Sequence, residues 1–200
     1  MVTIGFLVEG DSEAILIKSD SFQSYLQSLN LVCYTDLVIN AKSKSYLYHP
    51  AGDFLKLELR VSGWLLSLED KGAEKIFILL DMDDSDATYT IFKSKVCSRP
   101  VDIIIVARQE LEAWYLADTI ALRKYLESDI DEIADPENYL EPLEEIKKLR
   151  LLHQKRGVSD KKVLTKNMLA NGFSLKGAAF HPNCPSARYF RDKLLSVASL

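Results

Sequence analysis

The chain has 200 residues, a formal net charge of −4, 48% hydrophobic and 27% charged residues, which suits one ordinary domain with a real core. No segment approaches the roughly 18 to 20 uninterrupted apolar residues that span a bilayer, and an acidic balance argues against holding nucleic acid by phosphate neutralisation alone. The cysteines Cys33, Cys97 and Cys184 and the histidines His49, His153 and His181 are scattered without CxxC or HExxH spacing, which argues against a zinc site or a disulfide framework.

The first ten residues, MVTIGFLVEG, have no basic start, only a short apolar run, and an acid where a cleavage site would be wanted, so a cytoplasmic protein is expected. Within them VTIGFLV reads as a buried strand ending in Glu-Gly. DSEAILIKSDSFQSYLQSL then reads as a helix capped by Asp11 or Ser12, with Glu13 in its first turn. LVCYTDLVIN (31–40) is a second strand, AKSKSYLYHPAGD a loop, and DFLKLELRVSGWLLSLED a helix capped by Asp53. Leu55, Leu59 and Trp64 are candidates for the buried face of that helix, and Gly63 weakens its middle.

KIFILLDMDDSD contains the all-apolar stretch 76–80, typical of a strand covered on both faces. A short helix is expected around 87–96, and VDIIIVA is a fourth strand. ARQELEAWYLAD begins a helical region, followed by helices near 119–126 and 146–152 and a last one, SARYFRDKLLSVA, with Ser186 as its cap. Alternating strands and helices imply right-handed βαβ units. The expected fold is therefore an α/β, Rossmann-like core over 1–107, with a mostly parallel sheet of about four strands flanked by helices, and a helical extension over 108–200 packed on it.

In such sheets ligands bind at the carboxyl ends of the strands. Glu9 follows the first strand, Asp81 and Asp83 end the third, and Glu110 and Glu112 follow the fourth. Alternation points Asp81 and Asp83 the same way, a repulsion that a cation between them would relieve. Taken singly, Glu9 reads equally as a solvated loop acid, and the two aspartates as turn or cap residues. Clustered carboxylates without Cys or His favour Mg²⁺ or Mn²⁺. Gly10 and Ser12, at a helix N-terminus, are the phosphate-binding candidates. About 100° per residue puts Glu110 and Glu112 on nearly opposite helix faces, so both cannot easily reach one ion, and Glu110, nearest the strand end, is the preferred site residue. Trp114 reads as core rather than as a base-stacking platform.

Charge is uneven along the chain. Residues 127–145 hold Asp and Glu without Lys or Arg, whereas 147–166 hold eight Lys and Arg against Asp160. The two runs read either as solvated faces that attract each other or as a basic rim for a polyanion. Lys42, Lys44, Arg108, Arg188 and Arg191 are the nucleic-acid-contact candidates, although Arg188 and Arg191 share a helix face and read equally as surface charges.

VEGDSEA resembles the first motif of TOPRIM domains and ILLDMDD the second. ARQELEAWYLAD, DPENYLEP and SARYFRDKL are similar to the DUF4276 group of TOPRIM-like proteins, related to nucleases of the overcoming-lysogenisation-defect type. The resemblance implies a metal held by Glu9, Asp81 and Asp83, with Glu9 as general acid/base or as a ligand through water, and Glu110 alongside. It further implies phosphodiester hydrolysis of nucleic acid in defence or repair with an ABC-type ATPase partner, or a non-catalytic binding module within a complex. FILLDMDDSDAT also superficially resembles the DxDxT start of haloacid-dehalogenase-type phosphatases, but Ser85 stands where Thr is wanted.

Overall fold

A computed structural model describes residues 1–51, 55–82 and 88–199, the side chain of Lys56 aside. Five parallel strands form the sheet: β1 (Val2–Val8), β2 (Leu31–Val32), β3 (Val38–Asn40), β4 (Lys75–Asp81) and β5 (Ile103–Ala107). The path runs β2-β1-β4-β5, and β3 extends it beside the C-terminal half of β1. The expected second strand is thus two short ones, interrupted by a 3-10 turn at Thr35–Leu37.

Both faces of the sheet are covered, as the apolar runs of β1 and β4 require. Phe6 pairs in register with Phe77, and period-2 alternation sends both to one face. There they meet Phe190 of the last helix, α10 (Pro185–Ala198), with ring centroids 6.2 and 6.0 Å away. Gly5 points to the other face, where an added Cβ would stand 3.0 Å from Ala73 Cβ and 3.4 Å from Leu68. Leu68 belongs to α3 (Leu55–Asp70), so Gly5 is what lets that helix lie close to the strand.

The helices between these elements are shorter than the pattern suggested. The single helix expected after β1 is two, α1 (Asp11–Lys18) and α2 (Asp20–Ser28), because Ser19 adopts an extended conformation and its Oγ accepts from Phe22 N. Helix α3 buries Leu57, Val61, Leu65 and Leu68, while Leu55 and Leu59 are 79% and 87% exposed and Trp64 is partly buried. Two apolar stripes fit that helix, and packing on Gly5 selects the one that includes Leu68. Its expected cap, Asp53, lies outside the described residues.

After β4 comes α4 (Tyr89–Ser94), and after β5 the chain is helical: α5 (Glu112–Ala117), α6 (Thr119–Leu126), α7 (Pro142–Leu152), α8 (Lys161–Ala170), α9 (Leu175–Phe180) and α10. Cys184, not Ser186, occupies the N-cap position of α10. Ser186, two residues further in, is buried and links two buried polar groups. Its Oγ accepts from the Trp114 indole N–H at 2.7 Å and donates to Glu137 Oε1 at 2.5 Å. Trp114 is fully buried, as expected of a core residue. Among the described residues no helix is long and apolar enough to cross a membrane.

Candidate active site

The acids gather at the carboxyl edge of the sheet because β1, β4 and β5 end there in register. Asp81 is the last residue of β4 and pairs with Ala107, the last of β5. Its Oδ1 accepts from Leu111 N at 2.9 Å, and its own backbone N–H donates to Glu9 Oε2 at 3.1 Å. Glu9 leaves β1 beside it, its N–H bonded to Leu79 O. Asp81 thus ties the ends of three strands together while itself buried.

Gly10 follows in extended conformation as the N-cap of α1, so neither Asp11 nor Ser12 caps that helix. Glu13, in its first turn and 5% exposed, folds back toward Gly10, where an added Cβ would stand 3.0 Å from its Oε2. Burial raises the Glu13 carboxyl to about 7, against the backbone amides of Glu13 and Gly10, and the charge of Glu9 adds to the rise. Ser12 is buried in the same turn.

The strand β5 does not run directly into a helix. Gln109 takes a left-handed backbone, φ 63°, and α5 begins only at Glu112. Glu110 is therefore not on a helix, and the expectation that it and Glu112 face opposite ways is wrong. Both carboxylates meet one ammonium, that of Lys161, at 2.7 Å (Glu110 Oε1) and 3.4 Å (Glu112 Oε2). Asp81 Oδ2 lies 4.0 Å from the same nitrogen. Glu112 is fully buried, and burial raises its carboxyl to about 7 against the attraction of Lys161. Asp81 is raised well above the ordinary range by burial first, then by Glu13, Glu112 and Glu9. Burial opposes the charge on Lys161, but Glu112, Asp81 and Glu110 outweigh it and hold the amine above its usual value.

Lys161 and Glu13 are not distinguished as site residues by sequence alone. Lys161 is hidden in the basic run, and Glu13 looks like an ordinary first-turn acid. The signal for Glu13 is its spacing, one helical turn after Glu9. Asp83, with Asp84 and Asp86, lies outside the described residues, as do the other residues of 83–87.

The basic candidates divide into two groups. Lys42 and Lys162 both pair with Asp11 at 2.9 Å, one helix position beyond Gly10. Their hydrogen bonds hold the Asp11 carboxyl down at about 2. Lys44 donates to Met82 O at 2.6 Å, at the end of β4. Arg108 is exposed just after β5. Arg188 and Arg191 instead hydrogen-bond the carbonyls of Ala179, His181 and Pro182, and neither contacts an acid of the cluster among the described residues. The two charge runs do attract each other through Lys155 and Glu127, but Lys161 and Lys162 leave the basic run for the acids.

The donor types, though not their present spacing among the described residues, are those that hard divalent cations prefer. The set is all carboxylate, without sulfur or imidazole. Glu110 Oε2 and both Glu112 oxygens are buried with no hydrogen-bond partner among the described residues, an expensive condition for such groups. Among the described residues no three acids stand close enough to grip an ion as they are placed; Lys161 stands between them.

No protein-family model matches the chain, and no curated protein does. Among solved structures the chain is similar to the C-terminal region of the Burkholderia pseudomallei OLD protein, with 17% identity and a TM-score of 0.42 over 96% of this chain and 98% of that one.

Proposed function

We propose that this protein is a divalent-cation-dependent phosphodiesterase acting on nucleic acid, a TOPRIM-type nuclease site. The observation that supports the reading is the set of five carboxylates, Glu9, Glu13, Asp81, Glu110 and Glu112, brought to one sheet edge, with three oxygens there unpartnered among the described residues. Asp81, Glu9, Glu110 and Glu112 would hold Mg²⁺ or Mn²⁺, with Asp83, two residues after Asp81, as a further candidate. When bound, such an ion supplies a more acidic water and neutralises charge on a phosphate.

The remaining work belongs to the chain. Glu13, with a carboxyl near 7, is suited to take a proton from water or to return one to a leaving oxygen at neutral pH. Gly10, lacking a Cβ at the N-terminus of α1, leaves room for the Glu13 carboxyl against the backbone amides of Gly10 and Glu13. Lys42 and Lys162 beside Asp11 would anchor flanking phosphates. A second reading, a binding module that uses the cluster structurally, draws on Lys161, which neutralises these acids without any metal. The resemblance of VEGDSEA and ILLDMDD to TOPRIM motifs further suggests action with an ATPase partner.

Labelled single- and double-stranded DNA and RNA, incubated with Mg²⁺ or Mn²⁺, test the reading. Cutting that is lost in EDTA and in Asp81→Asn is expected. Equal inertness of wild type and variant at high protein concentration would contradict hydrolysis and favour the binding module.

A further inference from the structure

Lys161 sits where the physics of its own helix does not want it. It is the first residue of α8, followed by Lys162, and the first turn of that helix holds no acid. Cations at a helix N-terminus are repelled by the macrodipole. Desolvation adds to the cost, since the side chain, 38% exposed, is partly withdrawn from water. What holds it is the acid cluster: Glu110, Glu112 and Asp81, all within 4.0 Å of Nζ. Lys162, by contrast, reaches outward to Asp11.

A single ammonium cannot satisfy this cluster. It hydrogen-bonds Glu110 Oε1, while Glu110 Oε2 and both Glu112 oxygens keep no hydrogen-bond partner among the described residues. A lysine offers three donors and one charge, whereas a divalent cation offers two charges and several coordination positions. An ion held by the same oxygens would stand close beside the ammonium, and the repulsion of the two cations disfavours their sharing the cluster.

We propose that Lys161 is the built-in counter-ion of the acid cluster, and that a divalent cation binding there expels its ammonium and loosens the first turn of α8. The proposal rests on the reading of the cluster as a cation site and adds how that site is governed. The exchange trades one charge for two at the carboxylates and leaves a freed ammonium at the site's rim. Helix α8 packs on α1, whose N-terminus carries Gly10 and Glu13, so the release is felt on both sides of the site.

Titration calorimetry with Mn²⁺ alone, on wild type, Lys161→Met and Lys161→Arg, tests it. Lys161→Met keeps an apolar stem and removes the charge. It should bind Mn²⁺ roughly ten- to a hundredfold more tightly than wild type, and Lys161→Arg should not. In EDTA, Lys161→Met should melt below wild type and gain more from Mn²⁺. A measurement that needs no variant is hydrogen exchange of wild type. The amides of Val163 and Leu164, held by Asp160 Oδ1 and Asp160 O, should exchange faster with Mn²⁺ than without. Equal Mn²⁺ affinity of wild type and Lys161→Met, or slower exchange at those amides with Mn²⁺, overturns the counter-ion role and leaves the cation site standing. Absence of Mn²⁺ binding in all three proteins overturns the site itself.

Discussion

Lys161 Nζ lies 2.7 Å from Glu110 Oε1, across 51 positions of sequence. The contact joins the helical part of the chain to the edge of the parallel sheet, and it makes α8 part of the site. Glu110 can take that position because Gln109, at φ 63°, turns the chain before α5 begins.

Asp81→Asn keeps an acceptor for Leu111 N and removes an ionisable group whose charged form burial opposes first, and Glu13, Glu112 and Glu9 after it. The variant is expected to melt higher than wild type in EDTA. It should also lose hydrolysis by about a hundredfold or more, the scale of several kcal/mol of charge stabilisation. Thermal unfolding and cleavage on the same preparation check both halves.

The pH dependence has a defined sign. Glu13 and Glu112 titrate near 7 in the folded chain, raised chiefly by burial, against an ordinary value of 4.5. Between about 4.5 and 7 the folded state therefore binds more protons than the unfolded state, and stability from these groups falls as pH rises through that window. Metal-free protein should lose melting temperature from pH 5 to pH 7.5. Mn²⁺ affinity should climb over the same range, since the ion must displace those protons. A melting temperature in EDTA that rises across this window would contradict the assignment.

Much of the architecture is legible in the sequence because its signals are local. The apolar runs of β1, β4 and β5 and the acids at their ends announce a parallel sheet with carboxylates gathered at its carboxyl edge. What the sequence hides depends on tertiary choice. Leu55 and Leu59 keep helical spacing as well as Leu57 and Val61 do, and only the approach of Leu68 to Gly5 decides which stripe is buried. Glu110 and Glu112 read as members of one helix because nothing in ARQELEAW marks the left-handed turn at Gln109. Lys161 carries no local sign of its partners, since a lysine in a basic run resembles any solvated one.

The phase of α3 gives a stability test. Leu65→Ala, which truncates a side chain 1% exposed, should cost about 2–5 kcal/mol. Leu59→Ala, at 87% exposure, should change stability by less than about 0.5 kcal/mol. Urea unfolding of the two variants side by side distinguishes this phase from the one the leucine spacing alone suggests.

Ser186 offers another. Its hydroxyl joins Trp114 to Glu137, and Ser186→Ala would leave the buried indole N–H without its acceptor. A loss of about 1–3 kcal/mol is expected, read as a lower urea midpoint with an unchanged slope.

Whether the carboxyl edge of the sheet is a divalent-cation site can be seen outright by anomalous diffraction from crystals soaked in Mn²⁺. A manganese peak bounded by Asp81, Glu110 and Glu112 is expected, with the Lys161 ammonium moved off those carboxylates. A crystal in which saturating Mn²⁺ leaves Lys161 on Glu110 and Glu112, and places the metal elsewhere or nowhere, would contradict the cation site.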